Sequence, residues 1–236
     1  PKEMMMERDA QTLLTVVERG DYQIAEILVK RGISTEKTNA DGATPLMIAS
    51  SAGFTNFMGL LLDHGANLEA SDDLGYCPLT LAACYAPPAA VKLLVERGAD
   101  LEHSTDDDGL NALHLATWGH RREIVMMLLK LGANVMLRDA SGTTALHIVA
   151  YAPDLDIARL LLWRGADIEA CTDDNETPLF AAFDNGSVVV ATLLMDFGAT
   201  FPPPSTYDGI SALLRATASG HGETAALFLS SHVTHD

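Results

Sequence analysis

One spacing constrains this chain more than any other feature. Glycines close leucine-rich stretches at Gly32, Gly65, Gly98, Gly132, Gly165 and Gly198, at intervals of 33, 33, 34, 33 and 33 residues. A second series, Gly42, Gly75, Gly109 and Gly142 with Asn175 in fifth place, runs 23 residues ahead of its closing glycines. Self-similarity at a fixed period of this length belongs to stacked supersecondary units, each burying its apolar face only against its neighbours.

Motifs recur at the same period. Gly42-Ala43-Thr44-Pro45-Leu46-Met47-Ile48-Ala49, Leu113-His114-Leu115-Ala116 and Thr177-Pro178-Leu179-Phe180-Ala181-Ala182 are variants of one phrase. A second segment follows it, as in Leu160-Leu161-Leu162-Trp163-Arg164-Gly165-Ala166-Asp167. The pattern resembles the ankyrin repeat, D-x-x-G-x-T-P-L-H-x-A-A and then L-L-x-x-G-A-D, over about residues 9–229. The resemblance implies an all-α solenoid of about seven helix-turn-helix units with hairpin-like fingers and end units acting as caps. The expected organisation is an extension over 1–8, either a frayed end or the start of a helix, a single domain over 9–230 and a disordered tail over 231–236. The units fall at about 9–38, 39–71, 72–105, 106–138, 139–171, 172–205 and 206–230.

Each full unit follows the same physics. Threonine caps the free N–H groups of the first helix, and proline fits its first turn because it lacks only a donor that has no partner there. Leu46, Leu79, Leu113, Leu146 and Leu179 are expected to point into the stack. So are the pairs Leu61-Leu62, Leu93-Leu94, Leu128-Leu129, Leu161-Leu162 and Leu193-Leu194, each buried leucine contributing ~1.5–3 kcal/mol. Closing glycines accept the left-handed backbone that ends a helix, opening glycines relieve the finger turn, and asparagine tolerates the same geometry at Asn175.

Departures from the pattern mark particular units. Gln11 and Thr12 replace Thr-Pro in the first, with helices expected near Asp9–Glu18 and Tyr22–Lys30, as suits a polar cap. An inserted residue around Thr105-Asp106-Asp107-Asp108 enlarges an acidic finger, and that unit's first helix is expected to be cut short at Trp118-Gly119-His120. Prolines separate the helices at Pro87-Pro88 and Pro153, and Phe201-Pro202-Pro203-Pro204 stiffens a longer finger. Ala112, Ala145 and Ala212 stand where the family usually has proline. The last unit ends in a short helix expected over Glu223–Ser230. The start at Pro1-Lys2-Glu3 is read as a cut from a longer protein.

Of the 236 residues, 48% are hydrophobic but only 6% aromatic, as thin stacked helices require. Fifteen basic residues against 32 acidic give −17. That argues against phosphate backbones and anionic membranes, which need a Lys/Arg surface. The acid either steers a basic partner toward the chain or keeps an elongated protein in solution. Cys77, Cys84 and Cys171 have no C-x-x-C spacing and read as reduced thiols of an intracellular protein. No apolar run approaches the ~20 residues of a spanning helix.

No catalytic motif is present. His114 and His147 occupy the histidine of T-P-L-H, which the resemblance assigns to bonding finger backbone; Met47, Thr80, Phe180 and Leu214 fill that slot elsewhere. His64, His103, His120 and His221 show no ligand spacing, and His232-Val233-Thr234-His235 reads as a solvated end. Asp106-Asp107-Asp108 lacks the spaced ligands of a calcium loop. No metal, cofactor or enzyme is expected.

A recognition surface remains. The resemblance implies binding on finger tips and the exposed side of each first helix, here Ser51, Ala52, Cys84, Tyr85, Trp118, Tyr151, Asp184 and Asn185. Tyr85, Trp118 and Tyr151 recur in three consecutive units, as interface anchors or as padding for the turns beside them. Flanking finger positions are Asp73, Leu74, Tyr76, Asp107, Asp108, Leu110, Arg138, Ala140, Ser141, Thr143, Asp173, Asp174 and Glu176. The family's hydroxylated asparagine is replaced by Glu69, Glu102, Met136 and Glu169. Trp163 is expected to face outward from a second helix. The expectation is a monomeric, non-catalytic module binding a protein or peptide that carries Lys/Arg around an apolar anchor, without nucleic acid or membrane. The alternative is the targeting arm of a larger enzyme or signalling protein.

Overall fold

The computed structural model describes residues 2–200 and 207–231. They form fourteen helices, with isolated bridges at Ser104–Asn111 and Arg138–Thr144 as the only strand-like pairings among the described residues. The chain divides into two compact units, Pro1–Ala133 and Asn134–Asp236, the division falling just after a closing glycine, Gly132.

The first unit contains α1 (Lys2–Arg19), α2 (Tyr22–Lys30), α3 (Pro45–Ala52), α4 (Thr55–Asp63), α5 (Pro78–Tyr85), α6 (Pro88–Glu96), α7 (Ala112–Trp118) and α8 (Arg122–Lys130). First helices stack in one row, α1 on α3 on α5 on α7, and second helices in another, α2 on α4 on α6 on α8. The second unit repeats this with α9 (Ala145–Tyr151), α10 (Leu155–Trp163), α11 (Pro178–Asp184), α12 (Val188–Asp196), α13 (Tyr207–Ala218) and α14 (Gly222–Ser231). There α9, α11 and α13 form one row and α10, α12 and α14 the other.

The caps explain why first helices start where they do. Thr44 Oγ1 accepts from Met47 N at 3.3 Å, Asn111 Oδ1 from His114 N at 3.0 Å and Thr177 Oγ1 from Phe180 N at 3.2 Å. Each cap satisfies one of the helix's orphan donors. The Leu46, Leu79, Leu113, Leu146 and Leu179 row is buried as expected. The leucine pairs are not buried alike: Leu61, Leu94, Leu128, Leu161 and Leu194 are fully enclosed, whereas Leu62, Leu93 and Leu162 are half-buried. Leu129 and Leu193 are buried as well, at 7% and 4% exposure, so two of the five pairs are enclosed on both members as expected.

Other expectations shift at their edges. Helix α1 begins at Lys2, so the expected start at Asp9 lies inside a longer helix that includes most of 1–8. The seven-residue α7 is not specially shortened, since α9 and α11 have the same length. Ser231 belongs to α14 rather than to a tail. Residues 232–236 and the proline finger at 201–204 lie outside the described residues.

The fingers are held by turn chemistry. Asp72 Oδ1 accepts from Leu74 N at 3.0 Å and Tyr76 N at 2.9 Å, and Asp139 Oδ1 does the same for Ser141 N and Thr143 N at 2.9 and 2.8 Å. In the enlarged finger Thr105 Oγ1 takes the N–H of Leu110 at 3.0 Å, five residues on rather than four, which absorbs the extra residue. Gly75 has φ +78, and a Cβ there would run into the backbone nitrogen of Asp106. Successive fingers therefore approach backbone to backbone.

Candidate functional site

In the first unit, Tyr85 and Trp118 are the last residues of α5 and α7, 69% and 60% exposed. Rings that open to solvent do not fill the turns beside them. The Arg121 guanidinium donates to the carbonyls of Cys84 and Ala86, closing the α5 end that presents Tyr85. Tyr76 is half-buried, and burial raises its hydroxyl's pKa, with further contributions from Cys84, Tyr85, Asp108 and Asp72. Tyr76, Tyr85 and Asp108 thus share one electrostatic neighbourhood. Asp107 and Asp108 are exposed, and Leu110 is half-buried.

The second unit differs. Tyr151, at the end of α9, is 37% exposed. Asn185 Nδ2 donates to the Ala150 and Tyr151 carbonyls at 3.1 and 2.9 Å and closes that helix. Burial raises the Tyr151 hydroxyl's pKa, aided by the carboxylates of Glu176 and Asp184. Those two carboxylates belong to an ion-pair cluster: Arg215 reaches Glu176 Oε1 at 2.7 Å, grips both oxygens of Asp184, and lies 4.9 Å from the Phe180 ring centre. Bonding to Asp184, then Glu176, raises the Arg215 pKa further above its ordinary range. Arg138 pairs with Asp173 at 2.9 Å and donates to the Gly142 carbonyl at 3.2 Å. Thr143 Oγ1 is 2.7 Å from Ser141 Oγ. Asp174 is exposed.

Much of the acidic rim expected in this unit is therefore internally neutralised. Sequence reasoning missed Arg215, although its 31-residue separation from Asp184 is nearly one repeat. Trp163, 69% exposed at the end of α10, faces outward.

Of the two motif histidines, His147 holds a finger, whereas His114 meets its own helix cap. His147 Nδ1 is 3.2 Å from the Thr144 N–H and 2.9 Å from its hydroxyl, while Nε2 is 2.9 Å from the Glu176 carbonyl. Asn111 N donates to His114 Nδ1 at 3.4 Å. Glutamates at the replaced asparagine position tie successive units: Glu69 Oε1 accepts from Asp100 N at 2.9 Å and Glu169 Oε1 from Thr200 N at 2.8 Å. Among the described residues, Glu69, Cys77 and His103 form a mixed group in which one ligand-type atom of each lies within 4.8 Å of the others. No described helix is long and apolar enough to cross a membrane.

No curated protein matches this chain. A family model described as ankyrin repeats (3 copies) matches residues 13–105, 91–170 and 146–236. With helix pairs, left-handed glycines and capped first helices recurring at the same period, the chain belongs to the ankyrin repeat family.

Proposed function

We propose that this chain binds a peptide or protein segment carrying an apolar anchor flanked by Lys/Arg, with Tyr85 and Trp118 as anchor contacts. Ankyrin repeats are generally non-catalytic modules of protein–protein interaction. The observation that carries the finer reading is the pair of aromatic rings at matching helix ends, both mostly in solvent, in a chain only 6% aromatic. Tyrosine and tryptophan are frequent interface anchors because they bring large area with few rotatable bonds. Asp107 and Asp108 stand exposed nearby in sequence and supply the charge that Lys/Arg would meet. In the second unit Tyr151 and Asp174 offer the same chemistry more sparingly, since Glu176 and Asp184 already face Arg215.

Selection from a random peptide library on the immobilised chain tests this. Enriched peptides should carry an aromatic or aliphatic residue beside Lys or Arg, and should lose most of their affinity for a folded Tyr85→Ala/Trp118→Ala variant. Peptides lacking basic residues, or binding that survives the double variant, would overturn the assignment.

A further inference from the structure

In the first unit, two residues that depart from their own repeat template are brought together beside Glu69. First-helix N-caps are Thr44, Asn111, Thr144 and Thr177 in other units, all oxygen acceptors; Cys77 stands in that place here, wholly buried. Five residues after the closing glycine come Lys37, Ala70, Leu137 and Ala170, but His103 in this unit. Two independent departures meet beside Glu69, and one ligand-type atom from each of the three residues lies within 4.8 Å of the others.

The hydrogen bonding orients these atoms. His103 Nε2 is 3.1 Å from the Gly75 carbonyl, and 3.4 Å from Ser71 Oγ. In a neutral ring, donation to that carbonyl places the proton on Nε2 and leaves Nδ1 as a lone pair. Nδ1 faces Glu69 Oε2 at 3.7 Å. That oxygen is buried and has no hydrogen-bond partner, because Asp100 N uses the other one. Two acceptors aimed at each other, with a thiol alongside, are relieved by a cation between them. A backbone carbonyl holding the far nitrogen is the usual support of a metal-bound histidine.

We propose that Glu69 Oε2, Cys77 Sγ and His103 Nδ1 form a site for a zinc-class divalent ion, with water completing four ligands. Tetrahedral zinc bonds of about 2.0–2.3 Å put neighbouring ligands roughly 3.3–3.8 Å apart. The His103–Glu69 separation already matches, and Cys77 needs a shift of about 1 Å at most to join them. Mixed sulfur, imidazole and carboxylate ligation selects zinc or cobalt over magnesium or calcium. Carboxylate and thiolate together balance the ion's two positive charges. Binding expels the Cys77 proton to solvent, so affinity rises with pH. Glu69 ends one repeat while Cys77 and His103 belong to the next, so the ion staples two neighbours.

Other repeats provide internal controls. Met136, Thr144 and Ala170 occupy the corresponding places in the second unit, where they line an open recess of about 240 Å³ with no histidine or cysteine in the ligand positions. Thr and Ala are thus tolerated at both sites, and Cys77→Thr and His103→Ala should fold. Glu69→Gln keeps the acceptor for Asp100 N.

Cobalt(II) is the probe, added to chains in which His232→Ala and His235→Ala remove the terminal histidines. The expected result is one ion per chain, a thiolate-to-cobalt absorption band displaced by Zn²⁺, and a melting temperature raised by Zn²⁺. Each of Cys77→Thr, His103→Ala and Glu69→Gln should weaken binding at least about tenfold, since losing even an outer support costs about 10–100-fold. Absence of the thiolate band in the folded parent chain overturns the site. A band that persists in Cys77→Thr also overturns it, because the sulfur is then Cys84 or Cys171.

Discussion

Arg215 grips Asp184 with two parallel bonds, Nε to Oδ1 at 2.9 Å and Nη2 to Oδ2 at 2.7 Å, while its remaining nitrogen reaches Glu176. The fork of a guanidinium matches a carboxylate in a way a lysine ammonium does not. The cluster joins α13 to α11 and to the finger preceding α11. Arg215→Ala should lower stability to urea by about 1 kcal/mol, a value kept small because the side chain is 43% exposed and solvent screens the pairs. Arg215→Lys should recover less than half of that loss. Equal stability of Lys and wild type would show that the fork contributes nothing beyond its charge.

His147 makes stability depend on pH. Burial holds its pKa below the ordinary value of about 6.5, against the smaller upward pull of the Glu176 carbonyl and the Asp139 and Glu176 carboxylates. The folded chain therefore binds a proton less readily than the unfolded one. This contribution is complete above about pH 6.5 and is lost as pH falls through that value toward the lower folded pKa. The slope is no steeper than about 1.4 kcal/mol per pH unit, the limit for one proton. His147→Met copies Met47, whose sulfur lies 3.5 Å from its own cap N–H. The variant should be less stable than wild type at neutral pH, and the gap should narrow on acidification. A gap that stays constant between about pH 7.5 and 5.5 rules out this linkage.

Gly75 and Asn175 share one backbone geometry, φ +78 and +58, but carry different constraints. At Gly75 a Cβ would strike the Asp106 backbone, so Gly75→Ala combines left-handed strain with a steric conflict between fingers. The expected loss is about 2 kcal/mol or more in chemical unfolding. Asn175→Ala should cost about 1 kcal/mol, from strain alone, and Asn175→Gly should be close to neutral. Equal losses at the two alanine variants would mean that finger spacing relaxes freely.

The repeat made most of the fold legible, because a glycine that must adopt positive φ and a leucine that must be buried leave their marks at fixed intervals. Asn175 was readable as a glycine substitute for the same reason. What the period did not carry is pairing between unlike positions of neighbouring repeats. Glu176 and Asp184 counted as free acid until Arg215 folded over them. Cys77 and His103 looked unrelated because metal-ligand motifs are recognised by short spacings, whereas stacking brings Glu69 to His103, about one repeat further along, with Cys77 between them in sequence. The signal was present as two residues that broke the template.

The aromatic pair and the acidic finger should be separable in binding. Tyr85 and Trp118 would contribute desolvated apolar contact, which responds weakly to salt, while Asp107 and Asp108 would act through exposed charge, which ions screen within about 10 Å at 0.1 M. For one selected basic peptide, Tyr85→Ala/Trp118→Ala should reduce affinity at every ionic strength by about tenfold or more, chiefly through faster dissociation. Asp107→Asn/Asp108→Asn should weaken binding mainly at low salt and flatten its salt dependence, chiefly through slower association. Both pairs are exposed, so neither double variant should alter the unfolding midpoint appreciably. If the asparagine variant loses as much affinity at high salt as at low, the carboxylates make direct desolvated contacts rather than steering the peptide. If the alanine variant affects only the salt-dependent part, the rings are not the anchors.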